Sequence, residues 1–411
     1  MVIRRCASTL LTAATGLRCI DCHVEHPLEY VLSCPGCGGL LFIEYDIDRV
    51  ADIQFGRLEG PGIWPYAELL PIENSDHFIS LGEGSTPLIS TPRLAQEIGL
   101  DNLLIKFEGS NPTGTIKDRS TVTAVAAALQ FGFDRIGVVT TGNAGSSLVS
   151  YAARAGIRAF VFAVANCAKP KISHMAAATS DLHLFEGNYD DMIGGFDAVV
   201  DEQLVFDAGA SRNAYKQDGK KTIAYEIFEQ MGLQVPDFVV YPIGIGEALL
   251  AGQRAFAELK AAGHTDSIPR PVCAQSMEAN TVIRALKSGR PLVPKKVGYT
   301  VAEGVAVGDP GSKGEWVLRV ARDDAGLGAA ASDPEILEWQ AKLAHLEGIW
   351  AGPTGCVTLP ALAKLVEGQA IPSDATVVCI VSETGLKSDA APPVIDSLVP
   401  TAETVRKILL S

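Results

Sequence analysis

The stretch "RIGVVTTGNAGSSLVSYAARAGIRAFVFAV" (residues 135–164) reads as strand, glycine-containing loop, helix and strand. Its two outer runs are β-branched and apolar throughout, as parallel strands covered on both faces must be. The step recurs downstream, where "DFVVYPIG" (237–244) leads into "IGEALLAGQRAFAELKAAG" (245–263), and "TVVCIVSETG" (376–385) is a late buried strand with a polar end. This alternation past residue 80 predicts an α/β architecture of doubly wound, mostly parallel sheets in two lobes. In such sheets ligands bind beyond the carboxyl ends of the strands. Three polar stretches, "TTGNAG", "PIGIGEA" and "VSETG", fall at those ends and are therefore expected at one crevice.

Composition narrows the class of function. A chain of 411 residues is long enough for two or three domains, and 47% hydrophobic with 20% charged residues is ordinary globular composition. The net charge of −14 repels nucleic acid and anionic membrane surfaces, so neither is expected as a partner and an anionic ligand must be captured by a local site. No apolar run approaches the roughly 20 residues that span a bilayer. The start "MVIRRCASTLLTAATGL" faintly resembles a signal peptide, but Thr12, Thr15 and Gly16 break its apolar stretch and a cysteine pair follows at once. It reads as mature protein, and a cytoplasmic location is expected.

Cys19, Cys22, Cys34 and Cys37 form a C-x2-C-x11-C-x2-C array, whose two knuckles suit the corners of a tetrahedral structural zinc site. The second knuckle, "CPGCGGLL", carries glycines where a backbone wraps a metal. The alternative is a ribbon-shaped module whose cysteines stay reduced and empty. With four cysteines and no open ligand position, catalysis by such a metal is not expected.

Lys117 follows "NPTGTI", a turn that ends as a helix begins. The positive end of a helix dipole disfavours an ammonium there, and a neutral amine is what Schiff-base chemistry needs. The plain alternative is a solvated lysine paired with Asp118. The loop Gly244 to Ala248, "GIGEA", offers backbone N–H groups for a phosphate, although Leu249 breaks any dinucleotide fingerprint. The Asn143 amide suits an aromatic hydroxyl or a substrate carboxylate. Ser382 offers a neutral hydroxyl to a ring nitrogen. Each has an equally good reading as a loop or cap residue.

Taken together, these stretches resemble threonine synthase and its relatives among the fold type II pyridoxal-phosphate enzymes, in the right order over nearly the whole chain. "CPGCGGLLFIEYD" is similar to the family's N-terminal ribbon, "SLGEGSTPLI" to its Gly-Glu-Gly-x-Thr-Pro-Leu segment, and "KFEGSNPTGTIKDRS" to its lysine motif. "TTGNAGSS", "EGNYDD" and "GKKTIAYEI" match further stretches. The resemblance implies a tryptophan synthase beta-like fold with a zinc-ribbon-like module at 1–50, a large cofactor-binding lobe at 51–120 plus 206–411, and a small mobile lobe at 121–205. It implies pyridoxal 5'-phosphate as cofactor and a homodimer as assembly. Lys117 would bind the cofactor covalently and shuttle protons at Cα, Asn143 would bond its 3-hydroxyl, and Gly244, Ile245, Gly246, Glu247 and Ala248 would hold its phosphate. Ser382 would face the pyridine nitrogen, leaving it largely unprotonated and favouring elimination and replacement over transamination. Thr140, Thr141, Gly142 and Ala144, with Thr86 nearby, would form the substrate-carboxylate pocket, and Lys171, Ser211 and Lys216 a distal anion site.

The departures concentrate at that distal site. Ile245 replaces an asparagine of the family's phosphate loop. Glu247 places a carboxylate beside a dianion, which is unfavourable unless it points away or meets a cation. In "ASRNAYK", Ala210 replaces an asparagine and Lys216 an arginine, so a bidentate fork becomes a point charge. Glu383 and Thr384 replace a glycine and a histidine. The resemblance implies elimination and replacement on an O-phosphorylated amino acid, O-phosphohomoserine plus water giving threonine and phosphate. A paralogue running β-replacement, of the cysteate synthase type on phosphoserine and sulfite or in secondary metabolism, is the alternative. A non-catalytic homologue ranks last, because Lys117, Asn143 and Ser382 are all present.

Overall fold

The structure is a computed structural model that describes residues 12–179, 181–186, 189–388 and 402–409. Most of the signal-like start, with Cys6, and part of the "EGNYDD" match lie outside the described residues. Three sheets organise the rest. An antiparallel sheet of order β2-β1-β3 holds β1 (Ala14–Cys19), β2 (Glu25–His26) and β3 (Leu41–Tyr45). The central sheet has six strands in the order β12-β11-β10-β13-β5-β4, where β4 is Leu88–Ser90, β5 Asn102–Phe107, β10 Phe238–Pro242, β11 Arg270–Ser276, β12 Leu327–Ala331 and β13 Thr376–Val381. Its β4 edge is antiparallel and every other pairing is parallel. The third sheet is parallel, of order β8-β7-β6-β9, from β6 (Arg135–Thr140), β7 (Arg158–Val164), β8 (Leu182–Phe185) and β9 (Phe206–Asp207).

The strands that read as continuous apolar runs are the buried ones. Val377, Val378, Cys379, Ile380 and Val381 of β13 are all essentially inaccessible, as are Val239 and Val240 of β10 beside them. The strand–loop–helix–strand reading of 135–164 is observed as β6, the helix Asn143–Ala155, and β7. Among the described residues no helix is long and apolar enough to cross a membrane.

The helix Lys117–Gln130 is lined with alanine, serine and threonine, nearly all buried, so it sits deep in the fold. Arg119 anchors it. The guanidinium Nε donates to Glu108 at 2.7 Å and Nη1 to Glu226 at 2.7 Å, while Lys106 reaches the same Glu226 at 2.7 Å, all buried. Burial of these charges is tolerable only because each is paired and hydrogen-bonded.

The antiparallel ribbon and the segment after it are tied to several elements of the remaining fold. The Tyr45 hydroxyl donates to Asp218 at 2.7 Å, and Phe42 packs on Trp316 with ring centroids 5.6 Å apart. On its other side Tyr30 stacks on Phe206 at 4.5 Å and accepts from the backbone N–H of Asp207 at 2.8 Å.

Candidate active site

Lys117 opens its helix as the sequence predicts, and the "KDR" triplet divides its labour. Asp118 turns back to accept from the Thr113 backbone N–H at 2.7 Å and from the Thr113 hydroxyl at 2.5 Å. Arg119 points into the ion network described above. Lys117 therefore has no partner in Asp118, and its amine faces a cavity bordered by the ends of β6, β10 and β13. Enclosure by protein, then the charges of Lys220 and Lys216, bring this ammonium down from the ordinary lysine range to about 7.

The three polar stretches meet at this cavity. Thr140, Thr141, Asn143 and Ala144 line one wall, Gly244 to Ala248 another, and Ser382 a third. Gly246 adopts φ 95°, and a Cβ there would fall 2.3 Å from Val317, so only glycine suits the turn. The helix Glu247–Ala261 begins immediately after, with first-turn amides that have no intrahelical acceptor. Gly142, at φ 127°, is equally constrained, since a Cβ there would lie 2.5 Å from Lys171 Cδ. The Thr140 hydroxyl accepts from the Gly142 amide at 2.8 Å and the Gly145 amide at 3.2 Å, which sets the shape of the loop.

Glu247, whose carboxylate was the unfavourable feature of this loop, meets cations. It accepts from Lys220 Nζ, and its other oxygen lies 3.6 Å from Lys313 Nζ. Burial alone would raise this carboxyl, but Lys220, Lys313 and Lys216 overcome it and hold it far below the usual carboxylate range. Lys216 also donates to the Ala208 carbonyl, and Lys313 to that of Ala210 at 2.5 Å. Three lysines thus gather around one carboxylate beside the loop, a cluster suited to an anion. Lys220 and Lys313 were not singled out from sequence. "GKKT" pointed at Lys220 only as part of a match, and Lys313 in "GSKGE" carries no signal at all.

Besides Glu247 Oε1, which lies 3.6 Å from Lys313 Nζ, two buried polar atoms of the cavity have no hydrogen-bond partner among the described residues, Ser382 Oγ and Asn143 Oδ1. An unsatisfied buried polar atom is costly, so a ligand with a matching donor or acceptor is expected against each. The set fits pyridoxal phosphate. A hydroxyl suits its ring nitrogen, an amide its ring hydroxyl, the lysine cluster its phosphate and Lys117 its aldehyde.

Other predicted residues are placed differently. Thr86 lies in the Arg119 network, donating to Glu108 at 2.7 Å and accepting from Arg119 at 3.0 Å, and does not line the cavity. Lys171 is buried and donates to Glu303 at 3.0 Å. Ser211 is half-buried beside Ala210, which lines the cavity. Glu383 is buried at the end of β13 and accepts from Asn143 Nδ2.

Comparison with known proteins agrees with this geometry. A family profile described as "Pyridoxal-phosphate dependent enzyme" matches residues 79–383. The chain belongs to this family. The enzyme is 35% identical to a threonine synthase of Methanosarcina acetivorans over 375 residues, covering 90% of this chain and 92% of the relative. It is 33% identical to a threonine synthase of Methanocaldococcus jannaschii over 381 residues, 91% of this chain and 93% of the relative. Among solved structures, maize serine racemase matches with a TM-score of 0.62 at 18% identity, over 79% of this chain and 91% of that one. Diaminopropionate ammonia lyase from Escherichia coli matches with a TM-score of 0.63 at 19% identity, over 77% and 92%. These two share the fold of the enzyme, a fold type II architecture.

In the ribbon, the four thiol sulfurs of Cys19, Cys22, Cys34 and Cys37 lie within 4.8 Å of one another. Cys19 and Cys37 are 3.5 Å apart and Cys22 and Cys34 3.6 Å, close to the ~3.8 Å edge of a tetrahedron with ~2.3 Å zinc–sulfur bonds. A Cβ at Gly39 would come within 2.9 Å of the Cys19 sulfur, so glycine is required beside the cluster. The donor set fits zinc.

Proposed function

We propose that this enzyme converts O-phosphohomoserine and water to threonine and phosphate, with its cofactor held on Lys117. The relatives named threonine synthase support the reaction. The observation that carries the reading is Lys117 itself, an amine brought to about 7 in a cavity that also presents the orphan atoms of Ser382 and Asn143.

Bound pyridoxal phosphate supplies an electron sink for the charge that develops at the substrate Cα. The roles of the chain follow from its chemistry. Lys117, neutral near physiological pH, takes the Cα proton and delivers it again later in the sequence of steps. Ser382 donates a hydrogen bond to the ring nitrogen without protonating it. The Gly244–Ala248 loop holds the cofactor's phosphate with Lys216, Lys220 and Lys313, and Glu247 keeps those cations gathered. Thr141, Gly142 and Ala144, on a loop shaped by Thr140, receive the substrate carboxylate at a helix N-terminus. Lys171 and Ser211, with Lys216 nearby, hold the leaving phosphate. Zinc bound by Cys19, Cys22, Cys34 and Cys37 fixes the ribbon.

The division is at 1–50, at 51–120 plus 206–411, and at 121–205, with the last as the mobile lobe; the separate sheets support three units, although Phe206 and Asp207 pair with β6 of the third sheet. A homodimer in the cytoplasm completes the reading.

The test is a substrate panel scored for phosphate release, with products identified by mass, alongside Lys117→Ala. O-phosphohomoserine should release phosphate and yield threonine, and the variant should lose both turnover and the borohydride-trapped adduct. Release from phosphoserine with sulfite, and none from O-phosphohomoserine, would replace this reading by a β-replacement.

A further inference from the structure

Asn143 lines the cavity and meets Glu383, which is buried beside it. The Asn143 amide nitrogen donates to Glu383 Oε2, and because an ionised carboxylate only accepts, the amide cannot be turned the other way. Its carbonyl oxygen is thereby left buried with no partner among the described residues. Glu383 is held firmly in this position. Its backbone carbonyl accepts from the Gly352 N–H at 3.0 Å, and its backbone bridges to Thr115, two residues before Lys117. Gly352 has no Cβ, and one built there would fall 2.5 Å from Glu383 Cγ, so the fold makes room for this carboxylate. Burial opposes its charge, but Lys171 and the Asn143 amide keep it ionised.

We infer that Asn143 offers the cofactor's ring hydroxyl an acceptor rather than a donor, and that Glu383 is the positioning residue that sets this polarity. The inference rests on the cofactor reading given under Proposed function and deepens it. A hydroxyl facing a carbonyl oxygen keeps its proton, whereas one facing an amide N–H is stabilised in its ionised form. The proton shared between that hydroxyl and the Lys117 nitrogen is therefore drawn onto the oxygen in the resting protein. A glycine at position 383 would free the amide to turn its N–H toward the ring and reverse the preference.

The neutral and ionised hydroxyl forms absorb at different wavelengths, the neutral one at the shorter. The experiment is the absorption spectrum of the full chain loaded with pyridoxal phosphate, without substrate. The shorter band should dominate in the native protein. Glu383→Gly should raise the ratio of the longer to the shorter band about tenfold, the ~1.4 kcal/mol of one hydrogen bond. Asn143→Ala, which removes the acceptor, should move the ratio the same way and decides the matter where Glu383→Gly does not load cofactor. A native spectrum dominated by the longer band, an unchanged ratio in Glu383→Gly, or a move to the shorter band in Asn143→Ala each overturns the inference. Borohydride trapping separates it from the reading beneath: no adduct at Lys117 defeats the cofactor site itself, while an adduct with the wrong spectrum defeats only the polarity.

Discussion

Lys171 Nζ donates to Glu303 Oε2 at 3.0 Å, an ion pair that joins the helix Lys169–Ala178 to the short turn Glu303–Val305. The lysine is buried, while the glutamate side chain keeps 35% of its accessibility. Glu303 thus occupies the cation proposed for the leaving phosphate, and the substrate has to displace it. A partly exposed pair of this kind is worth about 1 kcal/mol. Glu303→Gln should therefore lower KM for O-phosphohomoserine about fivefold, with kcat little changed. Steady-state kinetics check this, and a raised KM would mean that Glu303 supports the substrate instead of competing with it.

The two perturbed lysines give opposite pH dependences. Lys117, brought to about 7 chiefly by burial, is a neutral nucleophile above that pH and a cation below it. Lys216, brought to about 8 by burial with Lys220 adding to the effect, keeps its charge only below that pH. Cofactor uptake by the apo chain should slow about tenfold for each unit below pH 7. Phosphate grip should weaken as pH passes about 8. Affinity for pyridoxal phosphate, measured by equilibrium dialysis, should accordingly peak between about 7 and 8. A steady climb toward pH 10.5, the ordinary lysine value, would contradict it.

Lys220 and Glu247 form a pair with side chains 2% exposed on either side. Removing one partner leaves a buried charge, so Lys220→Met should cost about 3–5 kcal/mol in urea unfolding. Adding Glu247→Leu to that variant should recover only part of the stability, since it removes the orphaned carboxylate but also takes a counter-charge from Lys313 and Lys216. Cofactor affinity should stay weak in both, because a phosphate-binding cation is gone. Recovery of affinity together with stability would show that Lys220 serves only the fold.

The cysteine cluster should hold one zinc per chain by elemental analysis, lost in Cys22→Ser. Cys22 and Cys37 are exposed, so with metal bound they should resist a thiol reagent until a chelator is added, and the melting temperature should then fall. Immediate reaction of both in the protein as purified would indicate an empty ribbon.

Much of the fold was legible because buried parallel strands announce themselves. "TVVCIV" has no polar face, and it became the centre of the six-stranded sheet. The crevice was legible for the same reason, since the polar segments follow those strands directly. Partnerships were not. Arg119 finds Glu226 across 107 residues of sequence, and Thr86, expected at the substrate pocket, joins them instead. Glu247 was recognised as an anomaly, but the lysines that resolve it come from segments far apart in sequence from it, and nothing local marks a lysine as buried. Glu383 was visible as a substitution, while its hold on the Asn143 amide depends on how β13 and the helix Asn143–Ala155 are brought together.

The helix Gly311–Asp323 carries Lys313 beside Glu247 at the proposed phosphate site, Trp316 against Phe42 of the ribbon, and Arg319 within 3.8 Å of Asp21, between two of the cysteines. From first to last these positions span six residues, or roughly 9 Å along the axis. An indole so placed is a built-in optical gauge. Its emission should register events at either end, so that metal loading and cofactor loading can be followed in one titration without any added label.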